Sequence, residues 1–247
     1  MQESIMTMFD KKTGYVLSAG LVIAAALASQ PALASQPAPS DILKVNGWAY
    51  PTPLTVDISL AGTSIADLPS GAPVAVYAGA FSGTNSLGKS FAAYCVDIYK
   101  EIVWGAVNYT PVSGTSLFSD TKVNDLGLLA NKFYSKVKDP TSTAAFQIAT
   151  WEILFERAPN GYGLANNAFK AVGGSASIFA LGMAQQWLTN LHDASVPQTN
   201  LYNMNYYFAG NSQNLVIPTA VPEPSSYLLM LAGLGFVGFM VRRRKYF

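Results

Sequence analysis

A strand is predicted for the segment Ser90-Phe-Ala-Ala-Tyr-Cys-Val-Asp-Ile-Tyr99, which contains the single cysteine of the chain. Successive side chains of a strand point to opposite faces, so Cys95 and Asp97 share one face and Tyr94 lies on the other. The face of Tyr94 is the more apolar one and is expected to point into the core. Cys95 then shares its side with a carboxylate.

Other segments alternate in the same way. In Leu54-Thr-Val-Asp-Ile-Ser-Leu60 every second residue is apolar, which is typical of a half-buried strand. Further strands are predicted around Trp48 and Tyr50, over Pro73–Phe81, over Leu201–Phe208 and over Gln213–Ile217.

The apolar period changes to three and four residues in the third quarter of the chain. A helix is predicted to begin after the capping candidates Ser119 and Asp120, and two more cover Thr141–Glu156 and Ser175–His192. The third helix has an apolar stripe formed by Ala180, Ala184, Trp187 and Leu191.

The order of these elements indicates the fold class. Strands come first, then an insertion of about three helices, and then closing strands. This pattern predicts an α+β domain whose strands form a barrel or a sandwich.

Composition excludes several functions for the body, Ser35–Ala220. This span contains nine Lys and Arg against eleven Asp and Glu, so it offers no basic patch and nucleic acid is not an expected partner. One cysteine and one histidine form neither a disulfide nor a zinc site. Phosphate-binding loops, nucleophile elbows and calcium loops are missing from the sequence, so we expect no metal, no cofactor and no catalytic residues, and the protein is not predicted to be an enzyme.

The N-terminal residues have the features of an export signal. Lys11 and Lys12 precede the apolar run Tyr15–Ala28, and Ala32-Leu-Ala34 is a small-x-small cleavage site. Because Pro31 would break a helix, a cleaved signal peptide over residues 1–34 is favoured over a signal anchor. A linker over 35–40 and an ectodomain over 41–220 would follow.

The C-terminal residues 221–247 combine three features. Pro222, Glu223 and Pro224 precede the uncharged apolar run Tyr227–Val241, and a basic block follows it. A helix over 227–241 covers about 22 Å, and flanking polar residues extend it toward the roughly 30 Å of a bilayer core. A buried core helix is the alternative, but the basic block favours a membrane helix whose C-terminal end is cytoplasmic. The block consists of Arg242, Arg243, Arg244 and Lys245.

This three-part tail resembles a PEP-CTERM sorting signal. The resemblance implies an exported protein of a Gram-negative bacterium, held in the membrane by residues 227–241 until it is processed. The processing partner implied is exosortase, a membrane protease or transpeptidase, and the destination is the cell surface or the extracellular space.

Two polar side chains in the body have more than one interpretation. Cys95 is either a buried structural thiol or a reactive one. Gln147 lies on the apolar stripe of the second helix with Trp151, whereas Glu152 and Glu156 take the polar side. A buried glutamine needs hydrogen-bond partners, so Gln147 either links the helix to a strand or belongs to a site.

Three motifs together resemble the thioester domains of bacterial surface adhesins. They are Tyr94-Cys-Val-Asp97, Phe146-Gln-Ile-Ala-Thr-Trp151 and Gln213-Asn-Leu-Val-Ile217. The resemblance implies an internal thioester between Cys95 and Gln213, with Gln147 as the second choice. The sequence departs from the family's pattern at Phe146, Thr150 and Ser212.

Two functional classes follow. In the first, an amine or hydroxyl of a surface target opens the thioester and becomes bonded to the protein, and Tyr94, Asp97 and Trp151 form the supporting pocket. In the second, the protein is a non-reactive, carbohydrate-binding component of the exopolysaccharide matrix of biofilms with which PEP-CTERM systems are usually associated. Its stacking platforms would come from Trp48, Tyr50, Trp104, Tyr109, Tyr206 and Tyr207.

We predict that the tail is removed at the cell surface. The surface form isolated from producing cells should lack Arg242–Lys245 in peptide mass spectra. The double variant Pro222→Ala, Glu223→Ala should stay in the membrane fraction because its recognition motif is lost. Intact tail peptides on the surface form would contradict the sorting interpretation.

Overall fold

The computed structural model describes residues 41–65, 69–157, 161–198 and 201–221, together with residues 230, 233 and 234. The predicted signal peptide over 1–34 and the linker over 35–40 lie outside these residues. The same holds for Pro222, Glu223, Pro224 and the block Arg242–Lys245.

The described part of the chain forms nine strands and three α-helices, which confirms the predicted α+β class. The strands are β1 (Asp41–Trp48), β2 (Leu54–Leu60), β3 (Val74–Ala78), β4 (Phe81–Thr84), β5 (Ser90–Cys95), β6 (Gly105–Val112), β7 (Phe169–Val172), β8 (Tyr202–Phe208) and β9 (Leu215–Ala220). The helices are α1 (Asp120–Phe133), α2 (Pro140–Phe155) and α3 (Ile178–Thr189).

Six of these strands close an antiparallel barrel in the order β1-β4-β5-β9-β8-β6. The pairing of β5 with β9 sets Cys95 opposite Leu215 and Tyr94 opposite Val216. The other three strands form a separate sheet in the order β3-β2-β7. Of the two predicted arrangements, a barrel or a sandwich, these six strands form the barrel.

Helix α2 is the buried helix of the domain. It begins with a capping box in which Asp139 accepts a hydrogen bond from the Ser142 backbone N–H, and Pro140 occupies its first turn. It contacts α1, α3 and all three strands of the smaller sheet. Because it is covered on all these sides, almost every one of its residues is buried.

Helix α2 is also hydrogen-bonded to the barrel. The Thr143 Oγ1 atom lies 3.1 Å from the Tyr94 hydroxyl and accepts the Ala80 backbone N–H at 3.2 Å. One turn later, Gln147 bonds the backbone of Cys95. Residues four apart share a helix face, so one face of α2 follows the end of β5.

Three strands were not predicted from the sequence, and the first is β4, which shares only Phe81 with the strand predicted over Pro73–Phe81. Strand β6 contains Asn108 and Pro111, which disfavour a strand locally, but it pairs with β1 on one side and β8 on the other. Strand β7 has only four residues and pairs with β2 alone. Strands β6 and β7 form because strands distant in the sequence supply their hydrogen bonds. A local sequence pattern contains no information about such partners.

Several predicted boundaries were also wrong. The segment Pro73–Phe81 was predicted as one strand, but β3 ends within it at Ala78 and β4 begins at its last residue, Phe81. Helix α3 is three residues shorter at each end than Ser175–His192, although its stripe of Ala180, Ala184, Trp187 and Leu191 is buried as expected.

The expectation that Glu152 and Glu156 lie on a polar side of α2 was wrong. Both are buried, at 0% and 4% exposure. The segment after the helix covers them and supplies backbone donors: Gly163 N–H to Glu152 at 2.6 Å and Phe169 N–H to Glu156 at 3.2 Å. Buried carboxylates thus attach this segment to α2.

Within the described residues, no helix has the length and apolar character needed to cross a bilayer. The span predicted over 227–241 falls outside the described part except for residues 230, 233 and 234, which are helical.

Glu152 should make the stability of the fold depend on pH. Burial, reinforced by the charge of Glu156, raises its pKa from 4.5 to about 7. The folded state therefore holds a proton that the unfolded state has lost, and stability should fall as pH rises from about 4.5 to about 7. In urea titrations across this range, Glu152→Gln should remove up to about 3 kcal/mol of that decline.

The exposed carboxylate Asp57 on β2 provides the control, because Asp57→Asn should leave the decline unchanged. An unaltered pH dependence in Glu152→Gln would contradict the assignment.

Candidate functional site

A cavity of about 390 Å³ lies beside the end of β5, and its lining brings together four of the residues singled out in the sequence. They are Cys95, Gln147, Trp151 and Gln213. The cavity is built from the end of β5, one face of α2, and the turn that leads into β9.

Cys95 is the last residue of β5 and is 2% exposed. Its Sγ–H donates to the Asp97 carbonyl oxygen at 3.0 Å, and the Asp97 N–H approaches the sulfur at 3.4 Å. Burial raises the pKa of the Cys95 thiol to about 12, although the Asp97 N–H and the Trp151 side chain act in the opposite direction. The thiol is therefore neutral at pH 7 and is not a redox-active thiolate.

Gln147 is held against Cys95 by two hydrogen bonds. Its Oε1 accepts the Cys95 N–H at 2.9 Å, and its Nε2 donates to the Cys95 carbonyl oxygen at 2.9 Å. The carboxamide thus forms the same pair of hydrogen bonds to Cys95 that a residue of a neighbouring strand would form. Gln147 and Cys95 are 52 residues apart in the sequence. This is the helix–strand link that was one of its two interpretations.

Trp151, one turn after Gln147, covers the sulfur. It is 3% exposed, and its indole N–H lowers the pKa of Cys95. That N–H makes no hydrogen bond of ordinary geometry within the described part of the chain, so the effect on the thiol comes from the N–H dipole close to the sulfur. That dipole would stabilise negative charge developing on the sulfur.

Gln213 is positioned by its backbone. Its N–H donates to the Glu101 carbonyl oxygen at 3.2 Å, and its own carbonyl oxygen lies 3.2 Å from the Tyr109 hydroxyl. The Asn214 carbonyl oxygen accepts the Val96 N–H at 3.0 Å, which extends the β5–β9 ladder by one residue toward Gln213.

The pairing of β5 with β9 brings the turn of Gln213 close to Cys95. Cys95 is opposite Leu215, Gln213 precedes Leu215 by two residues, and both Cys95 and Gln213 line the cavity. The Gln213 Oε1 atom is fully buried and has no hydrogen-bond partner among the described residues.

The other two predicted pocket residues lie outside the cavity lining. Tyr94 is on the opposite face of β5, where its hydroxyl contacts Thr143 and its ring contacts Phe146. Asp97 is turned toward its own loop, accepting the Tyr99 N–H at 3.0 Å and pairing with Lys100 at 3.5 Å. Trp151 thus lies next to Cys95, whereas the contacts of Tyr94 and Asp97 hold the C-terminal end of β5 in place.

An aromatic cluster of Trp48, Tyr77, Phe81 and Trp104 also lines the cavity. Trp48 and Trp104 were among the predicted stacking residues, whereas Tyr109 and Tyr206 are buried at 0% and 4% exposure. The sequence analysis missed Tyr77 and Glu101 as lining residues. Tyr77 belongs to the predicted strand Pro73–Phe81, but only the tertiary fold brings that strand next to Cys95.

Comparison with known proteins identifies the tail. Residues 220–245 match the PEP-CTERM protein-sorting motif, which confirms the resemblance seen in the sequence. The motif implies an exported protein sorted to the surface by exosortase. No curated protein matches the chain.

The body is similar to solved thioester domains. One is the N-terminal thioester domain of the fibronectin-binding protein SfbI from Streptococcus pyogenes, with 16% identity, a TM-score of 0.40, and coverage of 72% of this chain and 100% of that one. Another is the N-terminal domain of the Streptococcus pyogenes pilus tip adhesin Cpa, with 16% identity, a TM-score of 0.38, and coverage of 72% and 99%.

A third is the N-terminal thioester domain of a surface protein from Clostridium perfringens, with 13% identity, a TM-score of 0.37, and coverage of 68% and 100%. Likenesses of this size assign no role to any residue of this chain.

Gln147→Ala tests the link between α2 and β5. It leaves the buried N–H and carbonyl of Cys95 unpaired, so it should destabilise the fold by about 2 to 4 kcal/mol. Gln186→Ala, an exposed glutamine on α3, should change stability by less than about 0.5 kcal/mol. Both values follow from urea unfolding, and equal midpoints for the two variants would contradict the linking role.

Proposed function

We propose that this protein is a covalent surface adhesin whose Cys95 and Gln213 condense into an internal thioester. One observation carries the proposal: a buried thiol at the end of β5 and a carboxamide in the turn before β9 line the same cavity, and the buried oxygen of that carboxamide has no hydrogen-bond partner among the described residues. A target at the cell surface would open the thioester and stay bonded to the protein.

The condensation balances without a cofactor or a metal. The Cys95 sulfur attacks the Gln213 side-chain carbonyl carbon, the thiol proton passes to the amide nitrogen, and ammonia leaves. Both side chains line one cavity next to the β5–β9 pairing, so the reaction would be intramolecular instead of a bimolecular encounter.

Gln213 is favoured over Gln147 as the acyl donor. Both atoms of the Gln147 carboxamide already bond the backbone of Cys95, and both bonds would be lost if its nitrogen left as ammonia. The Gln213 oxygen has no such partner in the described chain. A thioester carbonyl is a weaker hydrogen-bond acceptor than an amide, so condensation lessens the penalty of an unpaired buried oxygen.

The raised pKa of the thiol affects the lifetime of the thioester. A thiol of high pKa is a poor leaving group, so the burial that raises the pKa of Cys95 to about 12 also slows attack on the thioester. Trp151 excludes water from the sulfur side. The thioester would therefore persist until a nucleophile is held in the cavity.

Opening is a single event. The nitrogen or oxygen of the target bonds the Gln213 acyl carbon, the carbon–sulfur bond breaks, and the sulfur takes up the proton of the nucleophile. The protein is consumed as one half of the product, so it is not an enzyme. Export and exosortase sorting would deliver it to the surface where an amine- or hydroxyl-bearing target is met.

A second function is favoured by the aromatic cluster. A non-reactive protein of the exopolysaccharide matrix would use Trp48 and Trp104 to bind saccharide and would retain a free Cys95 thiol. The cross-link separates the two functions, because only the adhesin needs it.

The proposal predicts a mass deficit. The mature protein should weigh about 17 Da less than its sequence, and methylamine should add about 31 Da to that form. Cys95→Ala and Gln213→Ala should each abolish both effects in intact-protein mass spectra, whereas Gln147→Ala should keep the deficit in the folded fraction.

Gln198→Ala serves as the matched control, since this exposed glutamine lies away from the cavity. Full sequence mass with a titratable thiol in fresh protein would reject the adhesin and leave the matrix function. If Gln147→Ala alone loses the mass deficit, the acyl donor is Gln147 on α2 instead of Gln213.

A further inference from the structure

The aromatic cluster is held in place by its own ring contacts. The Trp48 ring lies 4.7 Å from Phe81, 6.0 Å from Tyr77 and 6.0 Å from Trp104, between ring centroids. Trp104 also meets Phe81 edge-on at 5.7 Å. Rings packed in this way lose little further freedom when a ligand stacks on them.

Two of these rings remain accessible at the cavity. Tyr77 is 61% exposed and Trp104 is 50% exposed. Each contacts Trp48, and within the described residues no ring contact joins Tyr77 to Trp104, so Trp48 lies between them. The cluster is therefore a row of platforms along the cavity and not a closed cage around one point.

The charge of the lining selects the chemistry of the occupant. Among the described residues that line the cavity, Glu101 is the only one with a carboxylate, and none is Lys, Arg or His. A phosphate or an acidic peptide would meet no compensating charge there. Aromatic faces pack against the C–H faces of a sugar ring, and a carboxylate accepts hydrogen bonds from its hydroxyls.

Glu101 is also tied to the acyl donor. Its carbonyl oxygen accepts the Gln213 N–H at 3.2 Å, and the Ser212 Oγ accepts the Val103 N–H at 3.0 Å. These bonds fix the loop that carries Glu101 and Trp104 to the turn that carries Gln213. A ligand stacked on Trp104 is thereby set beside the Cys95–Gln213 pair.

We propose that the target captured at this site is a neutral polysaccharide, bonded through one of its hydroxyl groups. This inference rests on the proposed function. The sugar oxygen bonds the Gln213 acyl carbon, the carbon–sulfur bond breaks, and the hydroxyl proton passes by way of the Glu101 carboxylate to the Cys95 sulfur. The products are an ester and a free thiol, and no oxidant or reductant is needed.

The test uses mature protein purified from cells that produce the full chain. It is incubated separately with methylamine, Nα-acetyl-lysine, cellohexaose, chitohexaose and the matrix polysaccharide of those cells. Intact-protein mass is expected to rise by the mass of an oligosaccharide without further loss, and hydroxylamine should release that adduct because it cleaves esters.

The variants Trp104→Ala and Tyr77→Ala should lower the ratio of saccharide adduct to methylamine adduct by about three- to tenfold each. Trp104→Phe should recover part of the ratio. Phe179→Ala removes a ring of α3 that is even more exposed and lies outside the cavity lining, and it should leave the ratio unchanged.

The outcomes separate the two proposals. If methylamine opens the thioester but none of the three saccharides forms an adduct, the saccharide target is rejected and the proposed function stands. If Nα-acetyl-lysine labels the protein faster than every saccharide and Trp104→Ala leaves the adduct ratio unchanged, the target is a protein amine and not a saccharide. If methylamine does not react either, the proposed function fails and the covalent saccharide target fails with it.

Discussion

The two hydrogen bonds between the Gln147 carboxamide and the backbone of Cys95 are the contact on which the site depends. They join the buried helix to the end of a barrel strand and satisfy both polar backbone groups of the cysteine. They also fix the rotation of α2 about its axis. One turn before Gln147, Thr143 contacts Tyr94, and one turn after it, Trp151 contacts the Cys95 sulfur. Since residues four apart share a helix face, one locked residue positions all three.

The same burial makes Cys95 both protected and usable. A neutral thiol with a pKa of about 12 resists oxidation and alkylation in the oxidising surroundings of an exported protein. Such a thiol would attack only a group held next to it, and in the proposed function that group is Gln213 in the turn before β9. Selectivity here comes from proximity, because the thiol is too weakly ionised to react with what merely diffuses past.

Local features of the structure were predicted from the sequence more accurately than tertiary ones. The strand predicted over Ser90–Tyr99 is present but ends at Cys95, and the strand predicted over Gln213–Ile217 is present but begins at Leu215. The helix predicted over Thr141–Glu156 is present as α2, although its burial on the side of Glu152 was not predicted. Strands β6 and β7, the burial of Glu152 and the aromatic cluster depend on partners far along the chain, which a local pattern does not contain. The main errors were therefore the predicted exposure of Glu152 and Glu156 and the omission of Tyr77 from the cavity lining.

The topology also sets the order in which the site is assembled. Cys95 ends an early strand, but Gln213 reaches it only when β9 pairs with β5, and β9 is the last strand before the sorting motif. Pairing of such distant segments carries a loop-closure entropy that the completed barrel must offset. Until that step the sulfur has no acyl donor beside it, because the carboxamide that arrives with α2 is engaged in hydrogen bonds to the cysteine backbone. Any Cys95–Gln213 bond would therefore form after the barrel closes, in a chain that already has its native fold.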